Sequence, residues 1–129
     1  MKLLGIGVDI IENKRVRSSI KNKKFIIRTF GKSEILKSKK IVDKTNYLSK
    51  RFAAKEALAK AIGTGFRNKL NLRDIEVLNN RVGKPYYVIS NKLKNLIKKK
   101  MKVNKFDLFL SISDEKEYSI AFAIIQTSK

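Results

Sequence analysis

The chain has 129 residues, 43% hydrophobic and 33% charged, the size and composition of one folded domain over residues 1–129 rather than a disordered tail. It contains no cysteine and no histidine, which excludes disulfides, thiolate or imidazole catalysis and Cys/His metal sites, so any metal must be a hard cation held by oxygen. The net charge of +20 asks for an acidic partner (nucleic acid, anionic lipid or an acidic protein), although lysine filling tolerant surface positions gives the same excess.

Residues 3–10 alternate as a strand, with Leu4, Ile6, Val8 and Ile10 on one face and Leu3, Gly5, Gly7 and Asp9 on the other. The second face sets a carboxylate beside two positions without side chains, where a bulky or polar group can approach the backbone. Asp9 also interrupts what would be the apolar stretch of a leader, and no apolar run approaches the roughly 18 residues that span a bilayer. The expectation is a soluble, cytoplasmic protein with no membrane segment.

Residues 12–30 read as broken helix, mixing Lys14, Arg15, Arg17, Lys21, Lys23, Lys24 and Arg28 with Val16, Ile20, Phe25, Ile26, Ile27 and Phe30. Ser33 is placed to cap a short helix to about Lys40, with Glu34 favourable in its first turn. Residues 46–62 form a longer helix stopped at Gly63. A strand is expected over 72–78, a turn over 79–85 and a strand over 86–89. Leu93, Leu96, Ile97, Lys100 and Met101 mark an amphipathic helix, and strands at 106–112 and 118–125 make an antiparallel hairpin. The class is α+β.

The helix from Arg51 to Ile62 carries the most chemistry. Ala54, Leu58, Ala61 and Ile62 are its apolar stripe, Phe52, Glu56 and Lys60 share another face, and Arg51 and Lys55 form a basic ridge. A carboxylate flanked by cations suits a metal beside phosphates; the same spacing is that of an ordinary Glu→Lys surface pair. Asp9 and Glu56, two oxygen donors from different elements, suit Mg²⁺, which takes one or two carboxylates with waters and substrate phosphates. Gly63-Thr64-Gly65 reads as a helix stop or as part of a phosphate loop, and it is not a Walker A sequence. Val82-Gly83-Lys84-Pro85-Tyr86 is a turn that lines a site or merely connects strands, and Ser111-Ile112-Ser113-Asp114-Glu115 stands at the mouth of the last hairpin.

Taken together and in order, these pieces resemble one family over the whole chain. Gly5-Ile6-Gly7-Val8-Asp9-Ile10 with Arg15, then Arg51-Phe52-Ala53-Ala54-Lys55-Glu56-Ala57 with Lys60-Ala61 and Gly63-Thr64-Gly65, then Gly83-Lys84-Pro85 and Ser111-Ile112-Ser113-Asp114, are similar to the motifs of the holo-[acyl-carrier-protein] synthases. These are 4′-phosphopantetheinyl transferases. The resemblance implies an antiparallel sheet packed with a long central helix, a homotrimer with coenzyme A in clefts between subunits, and Mg²⁺-dependent transfer of phosphopantetheine to a serine of an apo acyl carrier protein, in support of fatty acid biosynthesis. By the same resemblance, Asp9 and Glu56 hold Mg²⁺ and Lys60 stabilises charge developing on the phosphates. Arg51, Lys55, Gly63, Gly83 and Pro85 contact the cofactor. The base that takes the serine proton is Glu56 or a water held by the cation. The acidic carrier is expected on Arg15, Lys21, Lys24 and Arg28, with Phe25 or Ile26 as apolar contacts. Asp114 departs from the family, many of whose members carry histidine there, and an ionised Asp would repel a phosphate. The competing reading is a non-catalytic basic nucleic-acid-binding domain, although no zinc finger or RNP-like run accompanies the charge.

Overall fold

A computed structural model describes residues 1–63 and 70–128. Five strands and five helices appear among them. The chain opens with β1 (Leu3–Glu12) and passes through three short helices, α1 (Asn13–Ser19), α2 (Lys23–Thr29) and α3 (Lys32–Ser38). The long α4 (Lys44–Ile62) follows, then a 3-10 turn at Leu72–Asp74, β2 (Ile75–Asn79) and β3 (Pro85–Ile89). The chain ends with α5 (Asn91–Met101), β4 (Phe106–Asp114) and β5 (Tyr118–Thr127). Strands β1, β5 and β4 form one antiparallel sheet in that order, and β2 and β3 pair as a separate antiparallel ribbon.

The α+β class, the central helix and the terminal hairpin are as the patterning requires, with local differences. The expected strand at 72–78 begins three residues late, because the Asn71 side chain accepts from the Arg73 N–H and winds Leu72–Asp74 into a 3-10 turn. Gly31, not Ser33, caps α3: the Glu34 carboxylate reaches back to the Gly31 N–H at 2.9 Å.

What approaches the glycine face of β1 is α4 itself. A methyl added at Gly7 would overlap the carbonyl oxygen of Ala57, and one at Gly5 that of Ala61. The helix therefore lies on bare strand backbone, and its alanines 53, 54, 57, 59 and 61 make that approach possible on several sides. This close seat brings Asp9, on the same face of β1, over the middle of α4. Gly7→Ala is expected to cost about 3 kcal/mol or more in urea unfolding, because the obstacle is backbone and cannot swing aside; stability unchanged from the parent would contradict the packing.

Leu4 does not stay with Ile6, Val8 and Ile10. The register shifts between Leu3 and Gly5, which turns Leu4 toward the core. The other three point outward at 52%, 53% and 59% exposure and lie opposite Ile124, Phe122 and Ile120 of β5. With Phe109 of β4 they make a broad apolar sheet face that nothing in the chain covers among the described residues.

Candidate active site

Asp9 and Glu56 come together where β1 crosses α4. Asp9 Oδ1 lies 2.8 Å from Lys60 Nζ, which also donates to the Val8 carbonyl at 3.2 Å. Asp9 Oδ2 is buried without a hydrogen-bond partner among the described residues. Glu56, half-buried one helical turn before Lys60, has its pKa pushed up to about 7 by burial and then by the Asp9 charge, with Lys60 pulling the other way. Two carboxylates of which one oxygen is orphaned and one group resists ionisation lack positive charge. Two hard oxygen donors with room for waters fit Mg²⁺. Among the described residues no group of three or more acidic side chains is placed to hold one metal ion, so the remaining coordination would fall to water and to a ligand's oxygens.

A cavity of about 330 Å³ opens on this pair, lined also by Arg15, Ser19, Phe25 and Phe52. Phe25 packs edge-on against Phe52 with ring centroids 5.8 Å apart, and both rings and Glu56 also line a further cavity with Arg28 and Leu70. Arg15, Lys21, Lys24 and Arg28 are exposed on α1, α2 and the turn between them, while Phe25 is partly buried against Phe30 and Phe52. Asn13 anchors α1. It is buried, donates to the carbonyls of Glu115 and Lys116, and accepts from Ser119 Oγ at 2.8 Å.

Arg51, Gly83, Pro85 and Asp114 meet elsewhere. They line a separate cavity of about 310 Å³ with Tyr47, Lys50, Asn79 and Ile112, and this cavity shares no lining residue with the one around Asp9. Arg51 is buried. Its guanidinium carbon stacks 3.6 Å from the Tyr47 ring centroid, and Nη2 donates to Asn79 Oδ1. Asn79 in turn donates to the Gly83 carbonyl at 3.0 Å, and Gly83 holds a positive φ of 87° that only glycine adopts freely. Asn46 donates to Asp114 Oδ2 at 2.8 Å, fixing the carboxylate at the rim. No sequence pattern singles out Lys50, Asn79 or Asn46 for a site, because nothing in their spacing ties them to partners up to 68 positions away.

Lys55 is not in either cavity, and the expectation that it contacts a cofactor is not met in this structure. It is fully buried, 2.6 Å from Glu34 Oε1, and donates to the carbonyls of Leu72 (3.2 Å) and Ile75. Three acceptors use the three N–H bonds of the ammonium, leaving none for a phosphate. Gly63 adopts the left-handed conformation (φ 87°) and its N–H returns to the Ala59 carbonyl at 3.0 Å, the geometry of a helix stop. Thr64 and Gly65 lie outside the described residues.

A model of the 4′-phosphopantetheinyl transferase superfamily matches residues 5–123. A holo-[acyl-carrier-protein] synthase of Pelagibacter ubique (strain HTCC1062) is 58% identical over 126 residues, 98% of each chain. That of Orientia tsutsugamushi (strain Ikeda) is 45% identical over 130 residues, again 98% of each. Among solved structures, the holo-(acyl-carrier-protein) synthase of Bacillus anthracis in complex with CoA (3′,5′-ADP) superposes with a TM-score of 0.83 at 33% identity, covering 99% of this chain and 100% of its own. The Neisseria meningitidis enzyme gives 0.86 at 35%, covering 97% and 99%.

Proposed function

The chain belongs to the 4′-phosphopantetheinyl transferase superfamily, and from that premise we propose that its two cavities are halves of one active site, joined when copies of the chain assemble. The reaction is transfer of 4′-phosphopantetheine from coenzyme A to a serine of an apo acyl carrier protein, releasing adenosine 3′,5′-bisphosphate. The nucleic-acid-binding reading is not carried forward. The whole chain acts as one domain, and its proposed place is the cytoplasm; no helix among the described residues is long and apolar enough to cross a membrane.

The observation that carries the composite site is the separation of the expected residues. The carboxylates of Asp9 and Glu56 face one cavity, and Arg51, Gly83, Pro85 and Asp114 face another. Coenzyme A carries on one ribose an adenine, a 3′-phosphate and the 5′-diphosphate that leads to its pantetheine arm, so one cavity would take the diphosphate and the other the adenine side of the nucleotide. The apolar face of Ile6, Val8, Ile10, Ile120, Phe122 and Phe109 supports assembly, and a homotrimer is the proposed form.

Asp9 and Glu56 would hold Mg²⁺, which when bound supplies positive charge to the diphosphate and its leaving group. Lys60 reaches the same point from α4 and is placed to stabilise charge on the phosphate oxygens. Lys50 and Arg51 bring positive charge to the other cavity. Glu56, or a water beside it, would accept the serine proton as the new P–O bond forms and the bond to the bisphosphate breaks. Arg15, Lys21, Lys24 and Arg28 draw the acidic carrier to the rim of the Asp9 cavity.

The test is incubation with apo acyl carrier protein, coenzyme A and Mg²⁺, read by intact mass of the carrier. A gain of one phosphopantetheinyl group that EDTA prevents supports the reading; no gain, on a carrier that a known transferase modifies, opposes it. Cation binding is also expected to depend on pH. Glu56 must be ionised to bind, so below about 7 the cation competes with a proton and affinity falls by up to about tenfold per unit, levelling above 7. Mn²⁺ titration calorimetry between pH 5.5 and 8.5 reads this directly, and a flat profile contradicts Glu56 as a ligand.

A further inference from the structure

The two oxygens of Asp9 are treated differently. Oδ1 is neutralised by Lys60, while Oδ2 is buried and unpartnered among the described residues. The two partners also differ in freedom: the Asp9 side chain is 11% exposed and that of Lys60 is 55% exposed. Asp9 is fixed on a strand seated against α4, whereas Lys60 is a long, flexible chain at the last turn of that helix. If one partner moves, it is Lys60. Its ammonium sits on the carboxylate that a cation would need, and two positive centres on one carboxylate repel each other.

We infer that Lys60 is the counter-cation of Asp9 in the metal-free enzyme and is released to the phosphates when a divalent cation takes Asp9. This rests on the reading of Asp9 and Glu56 as cation ligands. It gives Lys60 two opposed effects. The side chain weakens cation binding in the absence of coenzyme A, and it strengthens phosphate binding once the cation is in place. A lysine that merely contacts phosphate has the second effect alone. Loading then has an order, with the cation first, because the cation frees the group that receives the diphosphate.

The experiment is Mn²⁺ binding to the full chain without coenzyme A, by calorimetry and by the loss of the free-ion electron paramagnetic resonance signal. Lys60→Met is expected to bind Mn²⁺ about fivefold more tightly than the parent, the scale of one partly exposed ion pair. Lys60→Gln should give the same sign, so the result does not depend on one replacement. Arg15→Met is the control. It removes a charge from the same cavity and hydrogen-bonds neither oxygen of Asp9, so it should change affinity by less than about twofold. Unchanged or weaker binding in both Lys60 variants overturns the inference, and so does equal tightening in Arg15→Met, which would mean a general field rather than a seated ammonium. A parent silent to Mn²⁺ beside a Lys60 variant that binds it supports the inference. Silence in parent and variants alike brings down the cation reading and the inference with it.

Discussion

Asp9→Asn and Glu56→Gln are each expected to lower transfer to the carrier about a thousandfold or more while leaving a folded protein. Each removes one of two charged oxygen ligands and with it several kcal/mol of charge stabilisation around the diphosphate. Neither should unfold the chain. Asp9 Oδ2 has no hydrogen bond to lose among the described residues, and Glu56 is pressed toward its neutral form by burial and by Asp9, so a neutral amide relieves repulsion. Circular dichroism and urea unfolding check the fold, and carrier mass against time checks the rate. Activity within tenfold of the parent in either variant would remove that residue from the metal site. A loss of activity that tracks a loss of stability would make its role structural.

The second large effect lies away from the chemistry. Lys55→Met is expected to cost about 3–5 kcal/mol, because it leaves the fully buried Glu34 carboxyl without its ion-pair partner. The Glu34 carboxylate joins three elements. It accepts from Gly31 N–H and Val77 N–H, each at 2.9 Å, and from Lys55, tying α3 and β2 to the helix turn that carries Glu56. Combining Lys55→Met with Glu34→Gln should recover part of the loss, since the unpaired carboxyl is gone and a side-chain acceptor remains. A cofactor contact would behave otherwise: Lys55→Met would leave stability alone and raise the KM for coenzyme A. Urea unfolding of the single and double variants separates the two roles.

Lys55 and Glu34 also mark where the sequence stops being legible. On a helix with one wet face, Arg51 and Lys55 form a basic ridge and Glu34 is a favourable first-turn acid. Helix α4 has no such face over most of its length: alanines let β1 and β5 close on one side, and β2 with α3 on another. Helical periodicity reports which residues share a side, and it does not report that every side is covered. The Glu34–Lys55 pair spans 21 positions and depends on three elements meeting, which no local pattern encodes. By contrast, the alternation of Gly5, Gly7 and Asp9 needed only the period of a strand to set a carboxylate beside bare backbone, although the group that fills the space is α4 rather than a ligand. Glu56 and Lys60 were legible from helical spacing, and Asp9 as their partner from the chemistry of oxygen donors in a chain without histidine or cysteine. The outward turn of Ile6, Val8 and Ile10 was not legible, because a strand pattern names two faces without saying which is buried.

In the proposed composite site, the cation ligands Asp9 and Glu56 come from one copy and part of the nucleotide pocket from another, and mixing two inactive variants reads this out. Asp9→Asn disables the first cavity, and Lys50→Glu reverses a charge in the second without entering the core. Each alone should transfer little or nothing. After the two are unfolded and refolded together, hybrid assemblies contain some interfaces with both halves intact, and carrier modification should return to a substantial fraction of the parent rate. No recovery in hybrids whose mixed composition is verified by native mass spectrometry would mean that both halves serve the same copy, and would contradict the composite site.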